Sequence, residues 1–360
     1  MLVRPRSSKV RCRGLRIPCA PPLRGQTIDM SNAPFFVSAQ VASEVVTWPE
    51  LIRVMAEVYR MPHTPDENPG RVVARGQGTW LRTLPAILPT GTFMGAKLFG
   101  LGRRRAVSYA VVLFSQETGE IAGILDGESL TAFRTAATSA VAVDHLMSDE
   151  PVRLGVLGSG SEAHSHVRAV AAIRTISELS VFSPSADNRT EFARCFSEEL
   201  GTECRPVETA REAVTGQSLV IAAARSRDET PIFESAWVSD GTLVVSIGST
   251  LPDQREVDTA LIARSDFIVA DSPEEVMEGT GDFIAAKRDN IPFHDKVVSL
   301  NGLLRGEARE MAAAARLPLF KSVGSAVQDL VVAELALRKA TEMKQAVRLP
   351  EFVLKTGRRR

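Results

Sequence analysis

The sequence predicts an α/β protein built on a Rossmann-type, doubly wound parallel sheet, and three observations predict it. The first is a turn in mid-chain: the apolar run Leu154-Gly155-Val156-Leu157 ends in Gly158-Ser159-Gly160-Ser161-Glu162-Ala163 and continues into helix-forming sequence. In a dinucleotide-binding turn, one glycine permits the tight bend and a second lets the backbone approach a pyrophosphate. A small third residue then packs the helix on the strand, at a positively polarised helix N-terminus. Gly158, Gly160 and Ala163 match those three places, with Ser159, Ser161 and Glu162 between them. The second observation is the alternation of strand-like and helix-like segments after the turn, and the third is a strand-rich stretch before it.

The elements follow in order. Residues 1–29 hold seven Lys or Arg and one acid, Asp29, with neither a secretory apolar core nor a clear amphipathic period. They read as a disordered extension. Trp48 to Tyr59 is an amphipathic helix opened by Trp48-Pro49-Glu50, with proline at a favourable first position. Thr79 to Leu84, Thr92-Phe93-Met94 leading to Lys97-Leu98-Phe99, and Tyr109 to Phe114 read as strands, and a Glu117–Glu120 turn leads to another at Ile121–Leu125. An Ala-rich helix from Leu130 to Met147 links this sheet to the glycine turn. Beyond the turn come a helix over 164–173, a strand at Leu179–Phe182, a helix over 187–200 capped by Asp187, and a strand at Ser218–Ile221. The buried-strand run Thr242–Ile247, a helix over 256–264 and the short run Phe267–Ala270 continue the pattern.

Composition is that of an ordinary soluble globular protein, 44% hydrophobic and 24% charged over 360 residues. No run approaches the ~18 apolar residues of a membrane span. Net charge is zero, but with the basic extension set aside the body is mildly acidic, which argues against a nucleic-acid partner. Cysteines 12, 19, 195 and 204 match no zinc spacing, and reduced thiols imply a cytoplasmic protein. His164 and His166, two apart on a helix, face different ways, so no metal site is expected.

Several segments together resemble the ornithine cyclodeaminase/mu-crystallin family. They are Met94-Gly95-Ala96-Lys97-Leu98, the stretch from Gly127 to Ala137, the turn at 158–163, Ile247-Gly248-Ser249-Thr250 running to Asp258, and Lys321-Ser322-Val323-Gly324 running to Leu330. The resemblance implies a homodimer in which a Rossmann domain is inserted between parts of a second, β-rich α+β substrate and dimerisation domain. The divisions expected are the extension 1–29, the first part of the substrate domain 30–128, a linking helix 129–150 and the Rossmann domain 151–315. A C-terminal helix 316–346, long and amphipathic from Leu319 to Ala340, returns to the substrate domain, and a basic tail spans 347–360.

By resemblance, the substrate is a small amino or imino acid whose carboxylate is held beside a nicotinamide. Arg71, Lys97 and Arg134 are the matching cations; the arginines can fork a carboxylate, and Lys97 supplies a point charge or a proton. Arg82 is a nearby competitor for Arg71. An apolar setting would lower the Lys97 pKa toward a useful range. Where cyclodeaminases carry an Asp two residues after the glycine of the Ile-Gly turn, this chain has Thr250, which is neutral and far less basic. Imine reduction is therefore expected over deaminating cyclisation of ornithine or a purely ligand-binding role. After Phe182 the chain has Ser183, Pro184 and Ser185 in place of an acid, with Arg189 following, which favours NADP(H) over NAD(H). Ser322 and Gly324, by family position, approach the nicotinamide carboxamide.

Overall fold

The computed structural model describes residues 33–226 and 229–350. The extension expected at 1–29 and most of the basic tail lie outside the described residues. The first sheet is built from β1 (Phe35–Val37), β2 (Val72–Gly76), β3 (Thr79–Ile87), β4 (Phe93–Leu101), β5 (Val107–Ser115) and β6 (Ile121–Asp126). The second uses β7 (Val152–Leu157), β8 (Ile176–Phe182), β9 (Glu203–Pro206), β10 (Leu219–Ala222), β11 (Leu243–Ser246), β12 (Phe267–Ala270), β13 (Val297–Ser299) and β14 (Pro318–Lys321). A last strand, β15 (Val347–Arg348), returns to pair with β1.

The second sheet is parallel throughout, in the order β13-β12-β14-β11-β10-β7-β8-β9. Strands β10, β11, β12 and β14 are buried at every residue, as expected where helices cover both faces. The chain order reverses between β7 and β10, so the crevice at their carboxyl ends is the topological switch point, and the glycine turn follows β7 there.

The first sheet is mixed, in the order β15-β1-β6-β5-β4-β3-β2. Its inner face carries Leu84, Ala86, Phe93, Lys97, Val111 and Leu113, all buried. The helices Gly127–Leu146 and Ala326–Glu342 pack against each other, and the latter lies across the sheet. The helix Ala326–Glu342 starts later than the C-terminal helix expected from Leu319. Pro318–Lys321 is a central strand of the parallel sheet, and the helix begins at Ala326. A four-residue apolar run fits a buried strand or a helix turn equally well by periodicity, and here pairing with β11 and β12 decides.

Candidate active site

The turn at 158–163 is tight and opens directly into a helix. Gly158 has φ +110°, and a Cβ there would lie 2.7 Å from the Ala223 carbonyl, so only glycine fits. Gly160 caps the helix Ser161–Ala171 without any side-chain cap, and a Cβ built on it meets nothing within 4 Å. Uncapped amides facing open space at a helix N-terminus suit a pyrophosphate. Ala163 is fully buried. The Ser159 hydroxyl donates to Ser183 Oγ at 2.9 Å, joining the turn to the end of β8.

At that corner Ser185, not Asp187, caps the following helix, accepting from the Asn188 N–H at 3.3 Å; Asp187 sits in the first turn, where its charge still favours the helix dipole. Arg189 is buried and committed: it donates to the Ser183 carbonyl at 3.1 Å and to Glu208 at 2.5 Å.

Across the crevice the substrate domain presents its cations. Strand alternation turns Lys97 inward from β4, where it is 2% exposed. Its Nζ donates to Thr131 Oγ1 at 2.7 Å and to Asp329 Oδ1 at 3.1 Å. Burial pulls the Lys97 pKa down to about 8, and the Asp329 charge resists that fall. Arg134 shares the same carboxylate, its Nε 3.3 Å from Asp329 Oδ1, and donates from Nη1 to Gln328 at 3.0 Å. Gly324, at φ +85°, lies so close that a Cβ would meet the Arg134 guanidinium. Burial pushes the Glu162 carboxyl up to about 7, against the pull of Arg134 and Lys97, and its Oε2 is buried without a hydrogen-bond partner.

Arg71 and its competitor Arg82 both line one cavity but differ in their partners. Parity on β3 puts Arg82 on the same face as Leu84, paired with Phe99 of β4. Its guanidinium lies 4.9 Å from the Trp80 ring and 5.7 Å from the Phe99 ring, and Lys97 Nζ lies 5.4 Å from that same Phe99 ring. Arg82 Nε is buried with no hydrogen-bond partner, and no carboxylate pairs with the side chain among the described residues. Burial, then Arg71 and Arg75, hold its pKa below the usual arginine value. Arg71 is instead clamped by Glu275, through its backbone N–H at 2.9 Å, Nε at 3.1 Å and Nη2 at 2.6 Å, and Nη2 also reaches the Val323 and Gly324 carbonyls. It ties the two domains together at the rim of a cavity of about 640 Å³ that Arg82, Thr250 and Asp271 also line.

Thr250 faces this cavity on a turn fixed from beneath. Fully buried Lys321 donates to Ser246 at 2.8 Å and to Asp282 at 2.9 Å, with Glu256 at 3.6 Å. Asp282 in turn accepts the Glu256 and Val257 amides. The Ser322 hydroxyl donates to Asp271 at 2.6 Å, which also accepts the Val323 and Gly324 amides. Lys97 and Arg134 are thus brought together on one carboxylate, Arg82 joins them through Phe99, and Arg71 is held at the rim. Sequence reasoning missed Asp329, Gln328 and Asp271; the only local trace was an acid and an amide inside the apolar helix Ala326–Glu342.

A glycine turn at the switch point of a parallel sheet, facing buried cations on a second sheet, defines a two-domain protein of the dinucleotide-fold class. Within that class the chain belongs to the ornithine cyclodeaminase/mu-crystallin family, whose family model matches residues 35–344. It is 29% identical to a Delta(1)-pyrroline-2-carboxylate reductase of Bacillus cereus over 66% of this chain and 73% of that protein. It is 28% identical to mouse ketimine reductase mu-crystallin over 85% of this chain and 97% of that one. The solved structure of Thermococcus litoralis Delta(1)-pyrroline-2-carboxylate reductase in complex with NADH and L-proline superposes with a TM-score of 0.79 at 25% identity, covering 88% of this chain and all of that chain.

Proposed function

We propose that this protein is an NAD(P)H-dependent reductase of a small imino acid, a cyclic ketimine such as pyrroline-2-carboxylate or a linear imino acid. The observation that carries the reading is buried Lys97, paired with Asp329 and flanked by Arg134 and Arg82 opposite the glycine turn. Residues 158–163 would hold the dinucleotide, whose reduced nicotinamide, when bound, supplies the hydride to the C=N carbon. Lys97 holds a proton at Nζ for the imine nitrogen, so one C–H and one N–H bond form as the C=N π bond is lost. Arg82 and Arg134 receive the carboxylate and orient the imine. Burial around Lys97 excludes water and keeps its pKa near neutrality, where a general acid is most useful.

Thr250 favours reduction over cyclodeamination, because its hydroxyl lacks the basicity to manage a substrate amino group. The test is cofactor fluorescence with pyrroline-2-carboxylate, set against ammonia release from ornithine. Net NAD(P)H consumption with the imine is expected; ammonia release without net cofactor change would overturn the reading. Thermal shift by a small ligand, with neither activity, would point to a binding protein.

NADP(H) is the favoured cofactor, supported by Ser183 standing where an NAD-binding acid would be. Exposed Glu208 must release Arg189 for a 2′-phosphate to use it. The ratio of kcat/KM for NADPH and NADH decides this. A homodimer is supported by the outer face of the first sheet, where Val72, Leu81 and Ile87 are exposed and strand parity adds Leu98 and Val112. Light scattering of Leu81→Glu should show loss of the dimer. Among the described residues no helix is long and apolar enough to cross a membrane, and Cys195 and Cys204 are free thiols, both compatible with the cytoplasm.

A further inference from the structure

Arg134 reaches the site on a long side chain with many rotamers, and what restrains it comes from the far end of the chain. Gln328 is fully buried. Its Oε1 accepts from Arg134 Nη1 at 3.0 Å, while its Nε2 donates to Asp271 Oδ2 at 2.9 Å and to the Tyr59 hydroxyl at 2.8 Å. This amide has one workable orientation, because reversing it would set a donor against the guanidinium and an acceptor against the carboxylate.

Asp271 is itself immobilised. It closes β12 and accepts four hydrogen bonds, from Gln328, the Ser322 hydroxyl and the amides of Val323 and Gly324. The next residue along the helix, Asp329, sits against Arg134 Nε, and Gly324 packs against the guanidinium. Nη1 is therefore held by a hydrogen bond, Nε lies 3.3 Å from the Asp329 carboxylate as an ion pair without a hydrogen bond, and among the described residues Nη2 has neither.

We propose that Gln328 is a positioning residue for carboxylate recognition. It acts through Arg134, holding the guanidinium so that the Nη2 edge is the one offered to substrate, and through Asp271 it makes that aim depend on the Rossmann domain. The proposal rests on the reading that Arg134 receives the substrate carboxylate. A guanidinium released from Gln328 would still be charged but would sample several rotamers, weakening substrate binding more than the chemical step.

The test is a double-mutant cycle of Gln328→Met, close in shape but without the amide, with Arg134→Lys. In the native background, KM for pyrroline-2-carboxylate should rise about tenfold or more, with kcat and the cofactor KM within about threefold of the parent. In the Arg134→Lys background the same substitution should move KM by less than about threefold. An equal rise in both backgrounds, or a rise in the cofactor KM instead, would overturn the proposal. Should Gln328→Met fail to fold by thermal melt, Gln328→Asn, one methylene too short to span Arg134 and Asp271, carries the same cycle and criteria. If the wild type reduces no imine, the functional reading falls by itself, and the cycle is read from L-proline affinity by calorimetry, where additivity again overturns the role of Gln328.

Discussion

Asp329→Asn removes one buried charge while leaving the shape of the side chain almost unchanged. In the wild type Asp329 Oδ1 lies 3.1 Å from Lys97 Nζ and 3.3 Å from Arg134 Nε, with essentially no exposure to water. Burial lowers the Lys97 pKa to about 8, and the Asp329 charge is the largest influence in the other direction. An opposite charge at such a distance raises a cation's pKa by roughly 1–3 units. With Asp329 neutral, burial and the Arg134 charge are opposed only by the more weakly acting Glu162 carboxyl, so the Lys97 pKa should fall from about 8 to about 5–7. The sign follows from the role: a proton donor works below its pKa and fails above it, so the alkaline limb of kcat/KM moves to lower pH. A shift of about two units leaves only a few per cent of Lys97 protonated near pH 7.5, a loss on the order of 20-fold, with half recovery near about pH 6 and near recovery below about pH 5. The assay is NAD(P)H oxidation with pyrroline-2-carboxylate across pH, both proteins measured with the same substrate so that its own ionisation cancels. An alkaline limb that stays in place in Asp329→Asn would refute the assignment of Lys97 as the donor under Asp329 control.

Three further outcomes follow from the geometry. Arg82→Ala should raise the imino acid KM at least about tenfold at unchanged cofactor KM, whereas Arg71→Ala, which breaks the Glu275 clamp, should act mainly on the melting temperature; the reverse pattern would restore Arg71 as the carboxylate ligand. Gly158→Ala forces a side chain toward the Ala223 carbonyl at a positive φ, and fluorescence titration should show cofactor affinity falling by an order of magnitude or more. Lys321→Met strands Glu256 and Asp282 without their cation and should cost about 3–5 kcal/mol at neutral pH. Burial already pushes Glu256 up to about 7, well above its unfolded value, so the protonated carboxyl favours the folded state. Removing the Lys321 charge raises the Glu256 pKa further, so denaturant unfolding of the variant should show stability partly regained as pH falls from above about 7 toward the ordinary carboxylate range, and a pH-independent loss would speak against this network.

What could be read from residue order is what depends on neighbours along the chain. The turn at 158–163 was legible because glycine conformations and helix N-terminal amides are local properties, and the alternation of strands and helices followed from hydrophobic period alone. Lys97 and Arg134 stand out in the sequence only through family resemblance, since an inward lysine on a strand looks like any other until its partners are known. Asp187 has the residue type of a cap, yet Ser185, two residues earlier, makes it, a displacement of the kind that helix boundaries invite. Leu319–Lys321 fits a helix or a strand equally well in sequence because an apolar run of that length carries no period of its own.

Residue order alone carries the family resemblance, the two-sheet α/β plan and the tight glycine turn at 158–163, all matters of pattern and local backbone chemistry. Tertiary structure alone decided which cation stands free and which is already neutralised. Strand pairing aligns Arg82 with Phe99 beside Lys97, domain packing sets Glu275 on Arg71, and the returning helix delivers Gln328 and Asp329 to Arg134. Charge and hydrogen bonding act over a few ångströms in space, and those distances join residues that lie hundreds of positions apart in the chain.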